Sequence, residues 1–258
     1  MTEVTAAAPS RVPEIQRVSC GTVFTALKRG WSDFLAAPGY GAFFGGFYVV
    51  CGIAMFWVTQ VTGQIYWLAI LVFGFPLLGP FAAVGLYEVS RRLENGTPLN
   101  WREILGVIWR QKDRQLPSIS AIIILIFLFW SFIGHMIFAL FLGLSTMTNV
   151  TSSYEVFLTA NGLMMLGVGS LVGAGLAALI FAVTVVGLPL LLDREIDFVT
   201  AMIVSVSTVT ANPGPMLLWG ITVIGLLFAG MLPFFIGLLV VLPVLGHATW
   251  HLYRAALA

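Results

Sequence analysis

Two histidines close to the C-terminal end of the sequence have the spacing of a shared site. His247 and His251 are four residues apart, so they lie on one face if this segment is a helix. Imidazole nitrogens are common ligands of metal ions and haem iron, and the pair is therefore a candidate metal or haem site. The alternative and favoured interpretation is a packing role, or contact with headgroups and water where the helix leaves a membrane.

Two further ionisable residues are candidates because they lie in or beside long apolar runs. His135 lies inside the run 121–144, and Glu88 lies at the end of another run. Ionisable groups in such places are functional candidates by default. Glu88 is a candidate proton carrier, and the favoured interpretation is an ion pair with Arg91 or Arg92. His135 is expected at a different depth from the C-terminal pair, so one metal ion should not bind all three histidines.

Other motifs of enzymatic chemistry are missing from the sequence. It contains no glycine-rich phosphate loop, no Ser/His/Asp arrangement and no metalloprotease helix. Two cysteines, Cys20 and Cys51, make neither a disulfide framework nor a cysteine-based metal site. We therefore predict a protein that is not an enzyme, with no catalytic residues and no cofactor.

The composition indicates a membrane protein. Of 258 residues, 59% are hydrophobic and 9% are charged, whereas a soluble domain carries about 25% charged residues. A bilayer span needs about 20 apolar residues, and runs of this length recur along the chain. These runs predict that the lipid bilayer surrounds the protein. The net charge of +1 gives no reason to expect a nucleic-acid partner.

The apolar runs predict an all-α membrane protein with six transmembrane helices, arranged as three hairpins. The predicted spans are residues 40–59, 65–87, 117–144, 162–192, and the two parts of 216–254 on either side of residues 231–233. Each hairpin is preceded by an amphipathic segment, expected to lie as a helix in the cytoplasmic membrane interface. The first two of these segments have predicted apolar faces formed by Phe24, Leu27, Trp31 and Phe34, and by Trp101, Ile104, Leu105 and Ile108.

Pairs of small residues predict where spans approach one another. Gly41 and Gly45 in the first span, and Gly169 and Gly173 in the fourth, are four residues apart. On a helix this spacing places both glycines on one face, which lets a second helix come close.

The positions of the cations predict the orientation. All twelve Lys and Arg residues fall in the first 18 residues, the first amphipathic segment, the loops after the second and fourth spans, or the C-terminal end. The opposite loops contain one charge, Glu155. By the positive-inside rule, both termini are therefore cytoplasmic. Residues 1–18 lack an apolar core and are expected to be a disordered cytoplasmic tail, and residues 19–258 a single membrane domain.

The three hairpins also predict an internal repeat, with units at about 22–95, 100–194 and 197–254. Residues 25–39 align with residues 200–214 without gaps, and six of the fifteen positions are identical. A duplication or triplication would explain the match, with parallel units. The alternative is that helix–Pro-Gly–span junctions are alike because the same physics shapes them.

Four stretches of the sequence resemble a known family: LGPFAAVGLYE at 78–88, PLLLDR at 189–194, ANPGPM at 211–216 and LPVLGHATWHLY at 242–253. They are similar to a bacterial family of integral membrane proteins of unknown function, some of which carry the label cytochrome c oxidase subunit. The resemblance implies the bacterial inner membrane. The chain lacks the many mid-membrane histidines of a haem–copper catalytic subunit, so it implies an accessory subunit at most.

The predicted function is that of a non-enzymatic inner-membrane protein. It would be an accessory or assembly partner of a larger membrane complex, such as a respiratory oxidase, with partner subunits in the bilayer. The alternative is a small-solute or lipid transporter or channel built from three parallel hairpin repeats. A third hypothesis is haem or copper handling by His247 and His251.

Overall fold

The computed structural model describes residues 12–62, 66–111, 114–143 and 154–257, and the regular secondary structure in these ranges is helical. An isolated bridge joins Ile15 to Leu257. The α-helices are α1 (Cys20–Ala36), α2 (Pro38–Thr62), α3 (Tyr66–Glu94), α4 (Trp101–Gln111), α5 (Leu116–Leu142), α6 (Ala160–Thr184), α7 (Gly187–Asp193), α8 (Phe198–Ala211), α9 (Pro213–Met231) and α10 (Leu238–Ala256), with a 3₁₀ turn at Tyr154–Leu158.

Within the described ranges, four helical segments are long and apolar enough to cross a membrane. They are Pro38–Thr62, Leu116–Leu142, Ala160–Asp193 and Pro213–Met231. The prediction of an all-helical protein with several candidate spans is confirmed. Helices α3 and α10 occupy the other two predicted spans, and the full six-span arrangement stays a prediction.

Local chemistry sets the ends of α1 and α8. Ser19 caps α1, because its hydroxyl accepts the backbone N–H of Thr22 and its own N–H donates to the Thr22 hydroxyl. The junction residues Ala37 and Asn212 have nearly the same backbone angles, with φ of −138° and −129° and ψ of 52° and 54°. Each precedes a proline, which disfavours the α conformation in the residue before it. Local chemistry alone can give this likeness, so the internal repeat stays a prediction.

The helices fall into two compact units, one formed by Met1–Ser120 with Ala182–Ala258 and the other by Ala121–Phe181. In the second unit, the ring of Trp130 on α5 packs against Gly173 on α6. A Cβ atom on Gly173 would lie 2.7 Å from that ring. The predicted close packing is therefore present at Gly173, while a Cβ on Gly169 would meet nothing within 4 Å.

Helix α10 forms the core of the first unit, where it packs against α1, α2, α3, α7 and α9. Trp250, Leu252 and Tyr253 are each 1% exposed, and His247 is fully buried. The C-terminal half of α10 is therefore enclosed by protein on nearly every side, unlike an ordinary amphipathic helix with one buried stripe.

Glycines allow the other helices to approach α10. A Cβ atom on Gly30 of α1 would lie 2.5 Å from the backbone nitrogen of Ala248, so the two backbones are in contact there. Cβ atoms on Gly41 and Gly45 of α2 would lie 3.1 and 3.2 Å from the Pro243 ring. The close approach predicted from the spacing of Gly41 and Gly45 is confirmed, and its partner is α10.

Helices α1 and α4, which correspond to the first two predicted amphipathic segments, each have a buried and an exposed apolar side. Helix α1 exposes Phe24, Trp31 and Leu35, and its buried residues are Val23, Ala26 and Gly30. Helix α4 exposes Trp101, Leu105 and Trp109, and its buried residues are Ile104, Val107 and Gln111. The single predicted apolar face of α4 is thus divided, because Ile104 packs into the protein core while Trp101 and Leu105 stay outside.

The residues just before α1 are tied to two helix ends. The backbone N–H of Gln16 donates to the carbonyl of Ala256 at 2.9 Å, and that of Val18 donates to Asn212 Oδ1 at 2.9 Å. The Asn212 amide donates back to the Gln16 carbonyl at 3.1 Å. Residues 1–11 of the expected disordered tail lie outside the described residues.

Candidate functional site

Both C-terminal histidines lie inside the first unit and point to different neighbouring helices. His247 Nδ1 is 2.8 Å from the hydroxyl of Ser90 on α3. One turn later, His251 Nε2 is 2.8 Å from Asp33 Oδ2 on α1. The pair predicted from its spacing therefore lies on one side of α10, and it joins that helix to α3 and to α1.

Each histidine keeps one ring nitrogen free of these bonds. His247 Nε2 and His251 Nδ1 are buried and have no hydrogen-bond partner among the described residues. A carboxylate only accepts, so the Asp33 bond places a proton on His251 Nε2. Nδ1 of the same imidazole is then an acceptor, so it can accept a hydrogen bond from a small polar molecule.

The donors present do not make up a metal centre. In the part of the chain that the structure describes, no three His, Cys, Asp or Glu side chains are grouped so that they could hold a metal ion. A catalytic zinc takes three protein ligands, and His247 and His251 offer one free nitrogen each. The arrangement is better suited to hydrogen bonding between helices, which is the packing interpretation of the pair.

Glu88 lies six residues before the end of α3 and is 1% exposed. Its carboxylate is 2.6 Å from the guanidinium of Arg91 and 2.7 Å from that of Arg92. Arg92 also binds Glu103 of α4 at 2.5 Å and the carbonyl of Pro98 at 3.0 Å. The structure therefore places Glu88 in the predicted ion pairs, where its charge helps to hold the α3–α4 connection.

The last turns of α10 carry a further set of polar contacts. The indole N–H of Trp250 donates to Glu94 at 3.1 Å, and the hydroxyl of Tyr253 donates to Asp193 at 2.6 Å. Arg254 lies 3.4 Å from Glu94 and 3.6 Å from Asp193. We refer to these residues, together with His247, His251, Ser90 and Asp33, as the C-terminal polar cluster.

His135 belongs to the second unit and is exposed. Its Nδ1 atom lies 2.7 Å from the carbonyl of Ser131, one turn earlier in the same helix. This contact is a hydrogen bond within α5, and it satisfies one ring nitrogen. His135 is not a member of the C-terminal polar cluster.

The sequence did not identify the partners of the two histidines. Asp33 is 218 residues from His251, and Ser90 is 157 residues from His247. The available signal was a polar residue on each helix that packs against α10. Such residues are common on amphipathic and terminal segments, so they do not stand out by type or spacing.

Comparison with protein families finds a match for the central part of the chain. Residues 67–193 match the family DUF2189, described as a predicted integral membrane protein. The matched segment is just under half of the chain and is similar to this membrane family. The match confirms the predicted resemblance to an integral-membrane family of unknown function. No curated protein and no solved structure matches the chain.

The DUF2189 segment runs from the first turn of α3 to the end of α7. It contains Glu88, Ser90 and Asp193, whereas both C-terminal histidines lie outside it. The C-terminal polar cluster therefore bonds α10 to the DUF2189 segment through Ser90, Glu94 and Asp193, and bonds α10 to α1 through Asp33.

Proposed function

We propose that this protein is a non-enzymatic accessory or assembly partner of a larger complex in the bacterial inner membrane. The observation that carries the proposal is a small-residue face on α6. Gly167, Ser170, Ala174 and Ala178 are three or four residues apart, so they share one side of the helix, and all are exposed. Faces of this kind let transmembrane helices pack closely, because the two backbones can approach.

The rest of the second unit supports the same proposal. In the most apolar part of α5, 11% of the residues are buried within the described chain, although this helix is very hydrophobic. Lipid tails cover bulky apolar side chains well, but small residues gain more from a neighbouring helix. A partner helix is therefore the better match for the α6 face. A respiratory oxidase is one such complex, because some members of the family that the sequence resembles carry that label.

The test is purification in mild detergent followed by native mass spectrometry. We expect a membrane subunit to co-purify with the chain, and Ala174→Phe to release it by blocking the small-residue face. Leu179→Phe is the matched control, since Leu179 is 45% exposed on another side of α6. A monomer without any co-purifying subunit would contradict the proposal, and so would equal loss of the subunit in both variants.

The proposed arrangement keeps six spans in three hairpins with both termini in the cytoplasm. Its support is the distribution of Lys and Arg, together with the exposed aromatic sides of α1 and α4. Trp31, Trp101 and Trp109 are 47%, 42% and 69% exposed, and tryptophan is enriched at membrane interfaces. These helices are proposed to lie along the cytoplasmic surface of the bilayer.

A transporter of small solutes or lipids is the second candidate. The cavity between α2, α3 and α4 is lined almost entirely by apolar side chains, which favours a lipid over a polar solute. Reconstitution in liposomes with a fluorescent phospholipid would test it. Movement of the probe between leaflets above the rate in protein-free liposomes supports transport, and an unchanged rate contradicts it.

A further inference from the structure

An apolar groove lies between α2, α3 and α4 of the first unit. It has a volume of about 230 Å³. Helix α2 contributes Phe43, Phe44 and Phe47, and α4 contributes Leu105 and Ile108. Phe43 and Phe47 are 50% and 51% exposed, so the groove is open along the side of the protein.

Aromatic contacts hold α4 beside the groove. The ring of Trp101 stacks on Tyr40 with centroids 3.9 Å apart, and it meets the edge of Phe43 at 5.2 Å. Ile104 and Ile108 pack against the core that includes Tyr40. These contacts fix the start of α4 against α2, so the groove is a preformed feature of the fold.

Helix α4 also carries two cations, of which Arg102 lies next to the groove. Arg102 is three residues before Leu105 and is its neighbour on the helix surface. Arg102 and Arg110 are exposed, and neither forms an ion pair with another described residue. The nearby carboxylate of Glu103 is already bound to Arg92. The exposed surface of α4 therefore combines uncompensated positive charge with an apolar opening.

We propose that this groove binds an anionic phospholipid of the cytoplasmic leaflet. One acyl chain lies along Phe43, Phe47 and Leu105, and the phosphate is bound by Arg102, with Arg110 adding to the local positive charge. A zwitterionic lipid would bring a cationic headgroup towards these arginines. Basic surfaces at the cytoplasmic ends of transmembrane helices attract anionic headgroups in this way. The proposal rests on the interfacial placement of α4, and it does not depend on a partner complex.

The test is native mass spectrometry of the purified full chain with palmitoyl-oleoyl phosphatidylglycerol or phosphatidylcholine. We expect phosphatidylglycerol to bind more tightly. Arg102→Gln with Arg110→Gln should weaken its binding about thirtyfold, because each cation near an anionic surface contributes about fivefold. Lys28→Gln with Arg29→Gln is the matched control, since it removes the same charge from two exposed residues of α1.

A second pair of variants tests the acyl-chain part of the site. Leu105→Trp should fill the groove and weaken the binding of both lipids, whereas Leu35→Trp, on an exposed position of α1, should leave it unchanged. Equal binding of the two lipids, or equal loss in the α1 and α4 charge variants, would overturn the proposal. Undiminished binding to Leu105→Trp would overturn the placement of the chain. Native mass and thermal unfolding confirm that each variant is folded.

Discussion

His247 Nδ1 lies 2.8 Å from the hydroxyl of Ser90, and neither side chain is exposed to solvent. The bond joins the buried C-terminal half of α10 to the DUF2189 segment. A buried polar atom that loses its partner keeps its full desolvation cost, so the contact matters more for what its absence would cost than for what it adds.

Ser90→Ala is therefore expected to destabilise the protein by about 1–3 kcal/mol, because it removes the hydrogen bond of a buried imidazole. The measurement is thermal unfolding in detergent, monitored by circular dichroism. Ser32→Ala, at an exposed position of α1, is the control and should change little. Adding His247→Leu to Ser90→Ala should recover part of the loss, since both polar partners are then gone. No recovery in the double variant would argue against the bond.

Gly30→Ala should weaken the contact between α1 and α10. A Cβ atom there would lie 2.5 Å from the Ala248 backbone nitrogen, and overpacking of this kind costs about 1–3 kcal/mol. Gly39→Ala is the matched control in α2, because its Cβ would meet nothing within 4 Å. The control should unfold at an unchanged or slightly higher temperature. If both variants lose the same stability, the backbone contact is not what makes Gly30 necessary.

Parts of this arrangement were predictable from sequence, because they depend on residues that are close together in the chain. The spacing of Gly41 and Gly45 predicts a close approach because two residues on one helix define a face by themselves. The end of α9 is similarly local, since a turn predicted around Pro233 is found from Leu232 to Gly237. The positive φ of Phe234 and Phe235, 49° and 65°, was not predictable, because bulky residues avoid that region unless the surroundings impose it.

The candidate site depends on pairings that no local pattern encodes. The spacing of His247 and His251 predicts a shared face, but the choice between a metal and a packing role depends on which groups the fold brings to that face. Asp33 and Ser90 form the hydrogen bonds that favour the packing role, and each comes from a helix far away in the chain. The burial of α10 is equally a tertiary result, because its apolar residues suit a lipid-facing span just as well.

The ion pairs of Glu88 predict unequal roles for its two arginines. Arg92 is 13% exposed and binds both Glu88 and Glu103, whereas Arg91 is 33% exposed and binds Glu88. Removing one partner of a buried ion pair costs about 3–5 kcal/mol, and exposure reduces that cost. Arg92→Met should therefore lower the unfolding temperature more than Arg91→Met. Equal effects would contradict a special role for Arg92 in joining α3 to α4.

The proposed topology predicts which side of the membrane two residues face. Cys20 is exposed at the start of α1, on the N-terminal side of the first span, and Leu232, in the turn after α9, is 84% exposed. In a Cys51→Ser background, a membrane-impermeant maleimide should label Cys20 in inverted inner-membrane vesicles and not in spheroplasts. Leu232→Cys, with Cys20→Ser and Cys51→Ser, should show the reverse. Labelling of both sites from the same side would refute the five spans, an odd number, that the proposed topology places between Cys20 and Leu232.

Asp197 predicts a pH-dependent contribution to stability at the start of α8. Its carboxylate accepts the hydroxyl of Thr200 at 2.6 Å and the backbone N–H of Thr200 at 2.9 Å. These hydrogen bonds hold the pKa of Asp197 below its usual value. A lowered folded-state pKa means that the contribution is fully present above the unfolded-state pKa of about 3.9, and is lost as the pH falls through the folded-state value.

Asp197→Ala should therefore cost about 0.5–2 kcal/mol at neutral pH, the usual range for an N-cap residue. The difference from the parent protein should shrink as the pH falls below about 4, because the parent then protonates Asp197 and loses part of the same interaction. Asp197→Asn is the control, since an amide oxygen still caps the helix but does not titrate. Thermal unfolding at a series of pH values measures both variants. A stability difference for Asp197→Ala that stays constant down to the acid limit would show that capping there does not depend on the carboxylate charge.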